Sequence, residues 1–300
     1  MKERIDIKLG YQCNNFCRFC IAVSKRNTLL SRNAEEVKNI LIKERARCNR
    51  VVFSGGEPTL QENLIDYVKY AKDLNYKEIQ VATNGRLFSL MDYCIKLSEA
   101  GASVFAISIH GPNAKIHDYL TRAKGSWNQA ITGIKNLKKI NKEVITNTVI
   151  VKQNYKSLPS IAQKIIALGV DSYQFAFVRV NPIIKNDPKL IKKIVPRYFQ
   201  VERYVKKGLQ LGIDSNINTK TEAIPYCFMK EYENHLSERI PPDTNVYDAD
   251  NMRKHYEKTR KNEAKAKGPK CRTCKYDSVC EGPWKDYPEI FGWDEFKPVK

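Results

Sequence analysis

Over the first 180 residues, short runs rich in β-branched and aromatic residues alternate with stretches whose apolar positions recur every three or four residues. The strand-like runs are Arg4 to Leu9, Arg50 to Ser54, Glu78 to Thr83, Ser103 to Ile109, Glu143 to Val151 and Ser172 to Val178. Helical periods fall near Ala34 to Arg47, Glu62 to Leu74, Leu87 to Ala100, Trp127 to Ile140 and Leu158 to Leu168. Repeated strand–helix units predict an α/β protein with a parallel sheet. Six of them suit a partial (β/α)6 parallel barrel, with functional loops gathered at the C-terminal ends of the strands.

The rhythm ends after Val178. Asn181 to Pro188 carries two prolines and reads as a linker, Lys189 to Leu211 as a basic, mostly helical stretch, and the chain beyond Gly212 as irregular. Within that last part, the charged run Arg253 to Lys267 reads as a solvated helix. The expected division is a core barrel over 1–185, a basic helical linker over 186–211, and a small irregular Cys-rich C-terminal domain over 212–300.

Nine cysteines in a 300-residue chain without a signal-like start point to metal or redox chemistry rather than to a disulfide framework. Met1 to Gly10 alternates charged and apolar residues, so the expected location is cytoplasmic. With 42% hydrophobic and 28% charged residues and no long apolar run, the composition is that of a folded soluble protein and not of a membrane span. The net charge of +19 attracts polyanions such as RNA, DNA or acidic peptides. Lysine is nevertheless spread over most of the expected helices, which is also a habit of thermophile surfaces.

Cys13-x3-Cys17-x2-Cys20 sits on the loop after the first strand. Three thiolates on a 4Fe-4S cluster leave one iron open. The other readings are a zinc knuckle, which usually brings a second Cys or His pair close by, or three unrelated thiols. With aromatic Phe19 before the last cysteine, the triplet resembles the signature of the radical S-adenosylmethionine (SAM) superfamily. That resemblance implies Cys13, Cys17 and Cys20 as catalytic cluster ligands, SAM on the open iron, reductive cleavage to a 5′-deoxyadenosyl radical, and an electron donor such as ferredoxin or flavodoxin.

The same resemblance extends along the chain. Gly55-Gly56-Glu57 is similar to the motif whose backbone receives the SAM ammonium group; the glycines allow close backbone approach and Glu57 offers a carboxylate. Asn84 ends the third strand at a station that lines the SAM pocket. Ser108 and Arg122 match positions that contact the SAM carboxylate or ribose, Asn147 is implied as a ribose contact, and Val178 or its neighbour Phe177 as packing on the adenine. The bland alternatives are a surface salt bridge for Arg122 and a strand-end amide for Asn147. His110 and His117 are expected to be structural, and Cys48 and Cys94 to be small buried hydrophobes.

Cys271-x2-Cys274-x5-Cys280 forms a second group, with Cys227 available as a fourth thiol. It resembles the auxiliary-cluster extension called SPASM or, when shortened, twitch, and falls short of the full seven-cysteine pattern. One auxiliary 4Fe-4S cluster is expected, with structural zinc as the alternative. The resemblance fixes the initiating chemistry better than the substrate. A peptide or protein is the first expectation, although the chain starts only a few residues before the barrel and has no N-terminal peptide-recognition domain. An RNA base or nucleotide-derived small molecule is the second. A zinc-holding basic nucleic-acid adaptor is the reading from another class.

Overall fold

The computed structural model describes residues 3–26, 28–180 and 182–300. Six parallel strands lie in sequence order: β1 (Arg4–Lys8), β2 (Arg50–Ser54), β3 (Glu78–Thr83), β4 (Val104–Ser108), β5 (Glu143–Ile150) and β6 (Ser172–Phe177). The helices between them are α1 (Ala34–Arg45), α2 (Leu64–Asp73), α3 (Met91–Ala100), α4 (Ala114–Thr121), α5 (Ser126–Lys139) and α6 (Leu158–Ile166). This is the expected α/β architecture with a parallel sheet.

Local chemistry fixes several boundaries. Asn33 opens α1 with a capping box, its side chain accepting from Glu36 N–H at 2.9 Å while the Glu36 carboxylate accepts from Asn33 N–H at 3.2 Å. Helix α4, absent from the sequence reading, is capped by Asn113, whose Oδ1 accepts from Ile116 N–H.

The segment beyond residue 180 differs most from expectation. Asn181 lies outside the described residues. Pro182–Lys185 forms α7 where a linker was expected, while α8 (Pro188–Ile194) and α9 (Tyr198–Asp214) fall in the stretch expected to be mostly helical. Strand β7 (Asn218–Glu222) pairs parallel with β6, and β8 (Thr244–Tyr247) pairs parallel with β1, so the sheet runs β7-β6-β5-β4-β3-β2-β1-β8-β9, with β9 the short Met252–Arg253. Residues beyond 212 therefore extend the sheet at both ends as well as carrying the tail cysteines.

Arg253 to Lys267 is not a solvated helix. It holds β9, the short α10 (Tyr256–Thr259) and a π-turn from Arg260 to Ala264, and it buries two cations. The Arg260 guanidinium makes a two-pronged pair with Glu281 at 2.8 and 3.1 Å and reaches Glu222 at 3.3 Å. Lys265 faces Glu238 at 3.4 Å and lies 4.2 Å from the Trp284 ring centroid. A last helix, α11, covers Asp286–Phe291.

One face of the sheet is apolar and buried beneath the helices, with Ile5, Ile7, Phe53, Ile79, Val81, Phe105 and Ile107 in the common core. The opposite face is polar, with Arg4, Asp6, Lys8, Arg50, Gln80, Asn147 and Gln174 only partly covered. Barrel interiors that serve only as core are filled by branched apolar side chains. A charged, partly hydrated interior is suited to holding a ligand.

Candidate active site

The loop that carries the cysteine triplet is registered by backbone bonds to the end of β2. Leu9 N–H donates to Ser54 C=O at 3.0 Å, Gly56 N–H to Gly10 C=O at 2.8 Å and Glu57 N–H to Gln12 C=O at 2.8 Å. A Cβ on Gly56 would stand 2.3 Å from the Gln12 oxygen and 2.4 Å from that of Tyr11. Gly55, at φ +134°, would meet the Gly10 oxygen at 2.2 Å. These glycines bring two loops of the chain into contact one residue before Cys13.

Glu57 follows these glycines at the end of the β2 loop. Its carboxylate is buried and fully engaged: Oε1 accepts from Thr59 N–H at 3.1 Å, Thr59 Oγ1 at 2.6 Å and Thr83 Oγ1 at 2.6 Å, and Oε2 accepts from Asn84 N–H at 2.7 Å. Burial pushes the carboxyl up from its ordinary range while the four donors pull it back. The side chain braces the β2 loop against the end of β3.

Cys13, Cys17 and Cys20 are each partly buried and close enough to interact electrostatically. Burial, then the Glu57 carboxylate and the Cys20 thiol, raises Cys13; burial, then the Cys20 and Cys13 thiols, pushes Cys17 up to about 12. Left bare, such thiols stay protonated; a bound cation reverses this and takes them as thiolates. Among the described residues, the only trio of His, Cys, Asp or Glu ligand atoms within 4.8 Å of one another is Asp243, His255 and Glu257, so no three thiols are that close. Three thiolates, one per iron, would hold a 4Fe-4S cluster and leave one iron open.

The third loop clamps the triplet. Asn84 Nδ2 donates to Asn14 Oδ1 at 2.6 Å and lies 4.0 Å from Cys13 Sγ. Arg86, missed from sequence, donates to the Asn14 carbonyl, to Asn15 Oδ1 at 3.2 Å and to Gln129 Oε1 at 2.6 Å. Its place two residues after Asn84 was the available signal. Phe19 is buried edge-on against His110, with centroids 4.8 Å apart.

The remaining candidates fall into two sets. Ser108 and Asn147 are register partners on β4 and β5, and Gln174 continues the row on β6. Asn147 Oδ1 is buried without a hydrogen-bond partner, a vacancy that a ligand hydroxyl would fill. Val178 and Phe177 are buried at the end of β6. Arg122 is different: it is exposed at the left-handed C-cap of α4, one residue beyond the Thr121 carbonyl that accepts from Phe16 N–H.

His110 and His117 are stacked and buried. His117 Nδ1 accepts from His110 N–H at 3.1 Å, and His110 Nδ1 accepts from Val149 N–H at 3.3 Å, which fixes both rings as neutral acceptors. Burial lowers His110 well below the usual imidazole value and His117 to about 4. An imidazole depressed in the folded state contributes stability above its unfolded pKa and loses it as pH falls. His117 alone should therefore lower folding stability by about 3 kcal/mol as pH drops from about 6.5 to 4. Urea unfolding across that range measures it. A His117→Gln variant with an unchanged pH slope would refute it.

The tail thiols are gathered around one pocket. Cys227, Cys271, Cys274 and Cys280 line one pocket with Tyr226, Lys267 and Phe296, enclosing about 370 Å³ of space, part of it open to solvent. Burial, then the other three thiols, push Cys227 up to about 12. Backbone N–H groups of Val299 and Gly282 donate to Cys274 and Cys280 sulfurs at 3.4 and 3.3 Å, bonds that favour the thiolate form of each. The tail is tied to the barrel by Trp284 Nε1, which donates to Phe177 C=O at 3.2 Å. Cys48 and Cys94 are buried in the core.

The family model of the radical SAM superfamily matches residues 7–165. A probable GTP 3′,8-cyclase of Sulfurisphaera tokodaii is 27% identical over 183 residues, 60% of this chain and 57% of that protein. An AdoMet-dependent heme synthase of Methanosarcina barkeri is 24% identical over 241 residues, 79% of this chain and 67% of the synthase. The chain thus spans a little over half of the cyclase and two thirds of the synthase. The structure of anSMEcpe with bound AdoMet and Kp18Cys peptide superposes with a TM-score of 0.70 over 99% of this chain and 92% of the other, at 14% identity, which is a likeness of fold.

Proposed function

Because the chain belongs to the radical SAM superfamily, we propose that it is a SAM-dependent enzyme that carries a 4Fe-4S cluster on Cys13, Cys17 and Cys20 and modifies a peptide or protein. The observation that carries this reading is the cradle around the triplet: three partly buried thiols, registered by Gly55 to Glu57 and clamped by Asn84 and Arg86. When bound, the cluster offers SAM an open iron and the electron that yields a 5′-deoxyadenosyl radical for hydrogen abstraction. Asn147 Oδ1 accepts from a ribose hydroxyl, Val178 and Phe177 cover the adenine, and Ser108 and Arg122 hold the carboxylate or ribose. The polar face of the sheet orients the substrate.

The tail thiols hold an auxiliary 4Fe-4S cluster in a SPASM/twitch-like extension. Support comes from their shared pocket. In this reading residues 1–185 are the catalytic unit, 186–211 a basic connector and 212–300 the auxiliary unit, working in the cytoplasm. No helix among the described residues is long and apolar enough to cross a membrane.

A peptide is favoured because the likeness to the peptide-bound structure extends over nearly the whole of both chains. RNA or a nucleotide-derived small molecule is the second reading, favoured by the cyclase relative and the net charge of +19. The two separate by the dependence of binding on salt, steep for phosphates and shallow for a peptide. Anaerobic reconstitution with iron, sulfide and zinc counted per chain tests the metal assignments. About eight irons are expected, falling to about four when Cys13, Cys17 and Cys20 become Ala. About four irons with one zinc would make the tail structural.

A further inference from the structure

The last part of the chain reaches back to the cysteine loop through one carboxylate. Asp248 is the first residue beyond β8, and the parallel pairing of β8 with β1 brings it level with Lys8, just before that loop begins. It is buried, with 5% of its surface exposed. Its Oδ1 accepts from the Tyr11 O–H and from Ala249 N–H, the latter at 2.9 Å, and its Oδ2 accepts from Lys25 Nζ at 3.0 Å and from the Arg253 guanidinium at 3.4 Å. The Asp248 carbonyl accepts from the Arg32 guanidinium, and Arg32 N–H in turn donates to Leu9 C=O at 2.8 Å. Tyr11 lies two residues before Cys13, whereas Lys25 and Arg32 follow Cys20. Asp248 therefore grips both the entry and the exit of the loop that carries all three thiols.

We propose that Asp248 is a positioning residue for the cysteine centre: by holding Tyr11 on one side and Lys25 on the other, it fixes where Cys13, Cys17 and Cys20 stand relative to Asn147 and Val178. The inference rests on the reading of the triplet as the cluster end, and of Asn147 and Val178 as the ribose and adenine end, of one SAM site. A buried carboxylate costs stability unless its charge is matched, and Lys25 and Arg253 match this one. Bonds of this kind in a buried network hold geometry in a way that exposed ion pairs do not. In the sheet, β1 stands between β2 and β8. The β2 side is registered through Gly56 and Glu57, and Asp248 supplies the hold from the β8 side. A shift of about 1 Å in a reacting group can cost on the order of a hundredfold, so a loop fixed from both flanks is what joining the two ends of the site requires.

The test uses the full chain and two variants. Asp248→Asn turns an NH2 group toward the cations, and Tyr11→Phe removes one O–H without changing charge. In metal-free protein, iodoacetamide alkylation of Cys13, Cys17 and Cys20, followed peptide by peptide, should speed up at least about fivefold in each variant, while Cys227, Cys271, Cys274 and Cys280 keep their wild-type rates. In reconstituted protein, KM for SAM should rise about tenfold and kcat for 5′-deoxyadenosine fall less than about threefold, because the two ends of the site no longer meet in register. A residue that only stabilises the fold would lower the urea midpoint and leave the thiol rates and KM unchanged, and that result overturns the proposal. So does faster alkylation of the tail thiols by the same factor, which would mark general loosening. If Asp248→Asn fails to fold, Tyr11→Phe decides by the same readings. Failure of the wild type to cleave SAM would count against the cluster reading, while the alkylation comparison would still decide whether Asp248 holds the loop.

Discussion

Glu57→Ala will unfold at a distinctly lower denaturant concentration than the wild type, with a loss of about 3 kcal/mol, because four donors lose their only described acceptor at once. Two of them, Thr59 N–H and Asn84 N–H, are backbone groups fixed by the fold and cannot turn to find another partner. Glu57→Gln is the informative control. Its amide oxygen keeps the three bonds made by Oε1, while its NH2 group opposes the Asn84 N–H, so it should lose only about 1 kcal/mol. The order Ala worse than Gln, read from urea midpoints of metal-free protein, separates a bracing role from a ligand-binding one. If the carboxylate served only a ligand, both variants would match the wild type without SAM.

Gly56→Ala will damage the cysteine loop itself. The added methyl would stand 2.3 and 2.4 Å from two carbonyl oxygens, of Gln12 and Tyr11, and backbone cannot move aside as a flexible side chain can. Separating the loops breaks the bonds from Gly56 and Glu57 N–H to Gly10 and Gln12 and shifts the start of the triplet. A stability loss of about 3 kcal/mol is expected. Reconstituted iron should fall specifically at the N-terminal centre, by about four irons per chain, with the tail centre retained. Wild-type iron content and stability would show that the close approach of the two loops is not needed.

The strands of the core were legible because each is a short run rich in β-branched or aromatic residues; Arg50 to Ser54 and Glu78 to Thr83 match their observed limits. Strand β7 was not, because Asn-Thr-Lys-Thr-Glu offers no apolar face of its own and becomes a strand through pairing with β6, some forty-five residues earlier. The buried cations Arg260 and Lys265 were hidden for the same reason: what draws them inward is Glu281, Glu222, Glu238 and Trp284, which only the tertiary fold assembles. At the site, cysteine spacing pointed to the centre and the glycines to a close approach. Which loops make that approach depended on the order of the sheet, which sets β1 beside β2.

The central claim is that this chain splits SAM on a centre held by Cys13, Cys17 and Cys20. Its direct measurement is 5′-deoxyadenosine released by anaerobically reconstituted protein after addition of SAM and dithionite. The wild type should form it, and Cys17→Ala, with its tail centre still loaded, should form none. Wild-type protein with a full iron count and no 5′-deoxyadenosine, or a Cys17→Ala variant that produces it at the wild-type rate, would contradict the account.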